Sequence, residues 1–192
     1  MESITCEEGI KLDNIAVIYE SKYGATRKYA EWIAQELACD FYERKTVKVR
    51  DLDVYDTIIY GGGLYAGGVS GIDLITKNFS LLKNKNLILF TCGLADPTDQ
   101  QNTDHIKESL KKVLTTEMQE KIKVFHLRGA IDYSKLNLVH KAMMAMLHKV
   151  MKKKDYDSLR QEDKDMLATY GKVVDFTDKE TIQPIIDYVT SK

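Results

Sequence analysis

Four short apolar runs separated by helical patterns constrain this chain more than any other feature. They occupy residues 15–19 (IAVIY), 57–60 (TIIY), 87–90 (LILF) and 124–127 (VFHL). The runs are largely continuous rather than alternating, which fits strands buried on both faces, as in a parallel sheet. A weaker strand falls within 41–49, where alternating charge suits a sheet edge. Between the runs, Ala30, Ile33, Ala34 and Leu37 share one helical face, and a second helix follows Val69. Ile106, Leu110, Val113 and Leu114 recur at helical spacing, and 181–189 close the chain as a last helix. This alternation predicts an open α/β sheet with right-handed crossovers and helices on both faces.

Composition narrows the class. An apolar fraction of 44% in 192 residues is ordinary for a soluble globular protein and allows a sizeable core. A net charge of −1 gives no global field for nucleic acid. Cys6, Cys39 and Cys92 are far apart, without metal-type spacing, as expected in a reducing compartment. The acidic leader, 1–13, lacks the apolar core of a secretory signal, and no run reaches the length of a membrane span. With only Pro97 and Pro184 there is no Pro-rich linker. The expectation is a cytoplasmic protein with one domain, 14–192, after its leader. Its oligomeric state is not fixed by the sequence.

Residues 129–171 break the alternation, since one short loop and one helix should suffice there. Between Ser134 and Lys154 there is no acidic residue, whereas Lys135, Lys141, Lys149 and the run Lys152–Lys154 are present. Leu138, Val139, Ala142, Met143, Met146, Leu147, Val150 and Met151 recur at helical spacing. The basic helix, 135–154, suits a docking surface or an anionic membrane, at the inner face of which the protein would sit peripherally. Packing of the same stripe onto the parent domain, with solvated lysines, accounts for it equally.

In such sheets ligands bind at the carboxyl ends of the strands, where strand order reverses. The loop after the first run reads Ser21-Lys22-Tyr23-Gly24-Ala25-Thr26 and leads into a helix expected over 25–38. Helix-terminal N–H groups lack internal partners and carry partial positive charge, so a phosphate satisfies both. Gly24 permits close approach, and Ser21 and Thr26 add hydroxyls. Two further loops should converge there. One carries Gly61, Gly62, Gly63, Leu64, Tyr65, Ala66, Gly67 and Gly68, the other Thr91, Cys92, Gly93, Leu94, Ala95 and Asp96. Their small residues leave backbone groups open to a flat ring, and Tyr65 is a candidate to cover its face. Cys92 reads as a small filler there rather than a nucleophile. The G-x-G-x-x-A match at Gly61–Ala66 follows the wrong strand for a dinucleotide site. Walker A is absent, and Glu20 alone cannot supply a receiver's acidic cluster. His105, His126, His140 and His148 show no metal or triad spacing, so no metal site and no catalytic residue is assigned.

These three loops resemble those of the flavodoxin family over residues 14–128. The resemblance implies a flavodoxin-like five-stranded sheet in the order 2-1-3-4-5, with FMN phosphate on the first loop and the isoalloxazine bracketed by the others. It thereby implies Ser21, Lys22, Tyr23, Gly24, Ala25, Thr26, Gly62, Gly63, Leu64, Tyr65, Ala66, Gly67, Thr91, Cys92 and Gly93 as cofactor-binding residues. Gly129-Ala130-Ile131-Asp132-Tyr133, the Met-rich helix and Val173-Val174-Asp175-Phe176-Thr177-Asp178 look like the insertion of menaquinone-dependent protoporphyrinogen oxidase. That resemblance implies an oxidoreductase passing electrons through FMN from a porphyrinogen to a quinone. The sequence departs from it at Tyr65 and Ala66, where an Arg-containing segment is expected, and at Asp96-Pro97-Thr98-Asp99, where a basic stretch is expected. The alternative is a flavodoxin-type carrier shuttling electrons between protein partners, for which Asp96, Asp99 and Asp104 would form an acidic rim.

Overall fold

Each apolar run becomes a strand of one parallel sheet. The computed structural model describes residues 14–65 and 67–191, so the leader, Ala66 and Lys192 lie outside the described residues. The strands are β1 (Ile15–Glu20), β2 (Asp40–Glu43), β3 (Thr57–Tyr65), β4 (Asn86–Gly93) and β5 (Ile122–Arg128). They pair in the order β2-β1-β3-β4-β5, the flavodoxin-like order expected, with the weak strand at an edge. Gly68–Val69 returns antiparallel onto Leu64 and Tyr65.

The helices are α1 (Ala25–Glu36), α2 (Asp73–Thr76), α3 (Phe79–Leu82), α4 (Gln100–Lys111), α5 (Thr116–Lys121), α6 (Leu138–Met151), α7 (Gln161–Thr169) and α8 (Gln183–Thr190). They cover both faces of the sheet, which is why its central strands are largely apolar and buried. Ile15, Val17, Ile59, Ile88 and Phe90 pack with Tyr29, Ala30 and Ile33 of α1 and Ile185 and Val189 of α8. Their neighbours in sequence, Ala16, Ile18, Ile58, Leu87 and Leu89, face Leu74, Leu82, Ile106 and Leu110 on the other side. Burying a Leu, Ile or Val side chain contributes about 1.5–3 kcal/mol, so these two layers carry the stability of the domain.

Two expected loops are strand instead. β3 runs on through the glycines to Tyr65, with Gly61 opposite Phe90, Gly62 opposite Thr91 and Gly63 opposite Cys92. Packing explains the glycines: a Cβ on Gly61 would stand 2.1 Å from Phe90 Cζ, and one on Gly62 2.3 Å from Val69 Cγ1. The expected second helix is two single turns, α2 and α3.

The insertion leaves and re-enters through an antiparallel pair, β6 (Ala130–Asp132) and β7 (Val173–Asp175). Gly129 N–H donates to the Gly93 carbonyl at 2.6 Å, and Phe176 N–H to the Gly129 carbonyl at 3.1 Å, tying both ends of the insertion to the end of β4. α6 forms where the Met-rich pattern predicts it. Among its described residues none is buried. Its two faces differ. Met143, Met144 and Leu147 turn inward, while Leu138 (84% exposed), Val139 (74%) and Met146 (62%) face solvent. One stripe therefore faces the cavity it helps to line, and a second stripe is open to solvent.

Candidate functional site

The carboxyl ends of β1, β3 and β4 open onto a cavity of about 330 Å³, closed on its far side by the insertion. The first loop supplies its floor. Gly24 adopts φ 100° and caps α1 without a side-chain partner for the helix N–H groups, and no acidic residue stands in the first turn. Its φ lies in the left-handed region that favours glycine, and a side chain there would meet no steric obstacle within 4 Å. Ser21 Oγ accepts the Gly24 N–H at 3.1 Å, which folds the loop under the helix end. The result is an uncapped helix N-terminus facing a cavity, the arrangement that suits an anion.

Ser21, Tyr23, Ala25 and Thr26 line the cavity, as do Leu64, Tyr65, Gly67, Cys92 and Gly93. Lys22, Gly24, Gly62, Gly63 and Thr91 are not part of its lining. Thr91 is fully buried and its hydroxyl pairs with His126 Nδ1 at 2.7 Å, so it serves the sheet. Gly62 and Gly63 stay in the β3 ladder. Burial pushes the Cys92 thiol up to about 12, against the opposing effect of a hydrogen bond with the Thr26 hydroxyl, and so disfavours the thiolate. Burial likewise pushes Tyr65 up to about 12.

His140 joins this site from 118 residues away in sequence. Asn137 caps α6 by accepting the His140 N–H at 2.8 Å, which sets the imidazole on the first turn. Its Nε2 lies 3.2 Å from Lys22 Nζ, its Nδ1 2.7 Å from the Tyr23 hydroxyl, and its ring stacks on Tyr65 at 5.6 Å and 25°. An ammonium only donates, so Nε2 accepts and the ring proton sits on Nδ1, directed at the Tyr23 oxygen. Through His140 the insertion thus touches two of the three loops expected to hold a cofactor.

Arg128, at the end of β5, holds the far wall together. It donates to the Leu94 carbonyl (3.2 Å), Asp96 (3.1 Å) and Asp165 of α7 (3.2 Å), with its guanidinium 4.0 Å from the centre of the Phe176 ring. Asp96 is held below the usual carboxylate range first by the Thr98 backbone N–H, then by the Thr98 hydroxyl, with Arg128 adding a smaller share. Spacing gave no sign of His140, Arg128 or the α7 carboxylates as site residues. The one signal was the length of the insertion itself.

The profile of a family described as a flavodoxin domain matches residues 16–158. The chain belongs to the flavodoxin-domain family. No curated protein sequence matches it. Solved structures similar to this flavodoxin domain include oxidised flavodoxin 2 from Bacillus cereus, 19% identical over 60% of this chain and 85% of that one, with a TM-score of 0.40. A flavodoxin variant from Fusobacterium nucleatum, solved with bound flavin mononucleotide, is 15% identical over 66% and 74%, with a TM-score of 0.39. A Streptococcus flavodoxin is 18% identical over 57% and 78%, with a TM-score of 0.38.

Proposed function

We propose that the chain is an FMN-dependent oxidoreductase whose insertion forms the wall against which a second redox partner binds. The carrying observation is that one cavity joins the uncapped N-terminus of α1 to the inner face of α6 and α7. Ser21, Tyr23, Gly24, Ala25 and Thr26 would hold the phosphate, Leu64 to Gly67 and Cys92-Gly93 the ring. The residues fit: phosphate replaces the absent cap of α1, and each charge-assisted hydrogen bond there contributes about 1.5–3 kcal/mol. Bound there, FMN supplies one- and two-electron redox chemistry, while the chain sets access and orientation.

The resemblance of the insertion to that of protoporphyrinogen oxidase extends this reading to a quinone as the electron acceptor. Solvent-facing Leu138, Val139 and Met146, flanked by Lys141 and Lys149, support a peripheral contact with an anionic membrane surface at its cytoplasmic face. The carrier reading has less support, because the acidic rim it needs is engaged elsewhere. Asp96 pairs with Arg128, Asp99 caps α4, and Asp104 bonds Gln100 and Lys107.

Titration of FMN fluorescence tests the cofactor. Quenching is expected, with Gly24→Ala weakening affinity about tenfold, because the free loop relaxes out of the left-handed backbone, which costs about 1–3 kcal/mol with a side chain, and must regain it to bind. A protein that neither carries nor quenches FMN refutes the reading. Anaerobic reduction followed by reoxidation with a menaquinone analogue tests the reaction. Flotation with anionic vesicles tests the membrane contact, and a protein that ignores them overturns it.

A further inference from the structure

From the charge of the far wall we infer that the cavity admits an uncharged or cationic apolar ring compound beside the cofactor and rejects anionic ones, polycarboxylates included. This rests on the cradle being the FMN site and concerns the part of the cavity the cofactor does not need. That part has two unlike sides. Met143, Met144 and Leu147 of α6 present an apolar, adaptable surface, and Glu162, Asp163 and Asp165 of α7 stand across from Arg128. Three carboxylates and one guanidinium therefore line it.

The cations near that wall are already committed. Arg128 divides its Nη atoms between Asp96 and Asp165, gives Nε to Leu94, and is covered by Phe176. Arg160 gives Nε and Nη2 to Asp163, both at 3.3 Å, and lies 3.5 Å from Glu162. Recognition of a carboxylate needs a guanidinium fork free to turn toward it, and neither of these is. Counting both arginines with Asp96 and the three α7 carboxylates leaves two negative charges in excess. A ligand carboxylate entering here meets the excess negative charge with no free guanidinium to receive it, whereas an uncharged ring buries against the methionines at no such cost. This excludes a porphyrinogen bearing several carboxylates from that wall and leaves a quinone-class compound as the chemistry that fits. The same Asp96 segment replaces the basic stretch that the protoporphyrinogen oxidase resemblance implies.

The test compares two naphthoquinones of nearly equal size: 2-methyl-1,4-naphthoquinone, which is uncharged, and 2-hydroxy-1,4-naphthoquinone, an anion at neutral pH. Binding of each is measured by equilibrium dialysis against the full chain, with and without FMN. The uncharged compound is expected to bind at least about tenfold more tightly, and Glu162→Gln with Asp165→Asn should erase or invert that preference by removing both charges and freeing Arg128. If the double variant fails to fold, Glu162→Gln alone, at a half-buried position, should narrow the preference. Equal or tighter binding of the anion by the unaltered protein overturns the inference, as does failure of both compounds to bind, or an unchanged preference in a folded variant. FMN is titrated separately. FMN binding without discrimination refutes the wall alone, whereas discrimination without FMN binding refutes the cofactor reading and leaves the wall standing.

Discussion

Replacing Arg128 by Met should detach the insertion without unfolding the sheet. The guanidinium makes two carboxylate contacts, one carbonyl contact and one ring contact, and the side chain is 22% exposed. Its carboxylate partners are 35% and 36% exposed, so solvent screening reduces each pair to about 1 kcal/mol. The Leu94 hydrogen bond and the stacking on Phe176 add about 1 kcal/mol each. Met recovers part of the packing of the stem, which leaves a loss of about 3 kcal/mol. These contacts join the ends of β4 and β5 to α7 and not to the layers around α1 and α8, so the loss falls on local opening of the insertion. Amide exchange in α7 should accelerate about 100-fold, while Ile18 and Ile59 keep their protection. Asp96 should stay acidic in the variant, because Thr98 is the larger cause of its lowered pKa. A carboxylate with a lowered folded pKa stabilises the fold above its unfolded value, and that stability is lost as pH falls through the folded one. The acid limb of the stability curve should therefore persist. If α7 exchange is unchanged while the whole protein melts earlier, Arg128 belongs to the core and the reasoning fails.

Two further perturbations probe the sheet and its carboxyl edge. Gly61→Ala should destabilise by about 2–3 kcal/mol in urea unfolding, since the added methyl strikes the fully buried Phe90 ring, and Phe90→Leu in the same chain should recover part of it; no loss would contradict the packing account. His126, pushed down to about 4 first by burial and then by Lys107, stays neutral in the fold while the unfolded chain takes up a proton near the ordinary value of 6.5. Stability should accordingly fall as pH drops from about 6.5 toward 4, and His126→Gln should flatten that window; a titration of His126 by NMR near 6.5 would rule this out.

The sheet was legible because burial on both faces writes continuous apolar runs: three of the four runs became the buried strands β1, β3 and β4, and the fourth became the half-buried far edge, β5. The edge strand was legible from its interleaved charge. The extension of β3 was not, since glycine reads as a loop signal and the Phe90 ring that requires Gly61 lies 29 positions away. The cradle could be read locally, because a helix N-terminus is a local object. His140 and the wall around Arg128 could not. Their roles arise from the folding back of a segment more than a hundred residues beyond the first loop, and neither periodicity nor spacing encodes that meeting. The basic stripe of α6 was visible in sequence, but which half of its apolar surface faces inward depends on where β6 and β7 set the helix.

The pairing of β6 with β7 places Asp132 opposite Val173, so forty residues depart from and return to nearly the same point. Excising 133–172 and joining the two strands by a two-residue Asn-Gly turn would ask no strand of the main sheet to move. What remains would keep the cradle and lose Leu136, Leu159 and the α6 stripe, turning a walled cavity into an open shelf. The topology thus makes the second binding wall an attachment that can be exchanged without altering the fold that carries it.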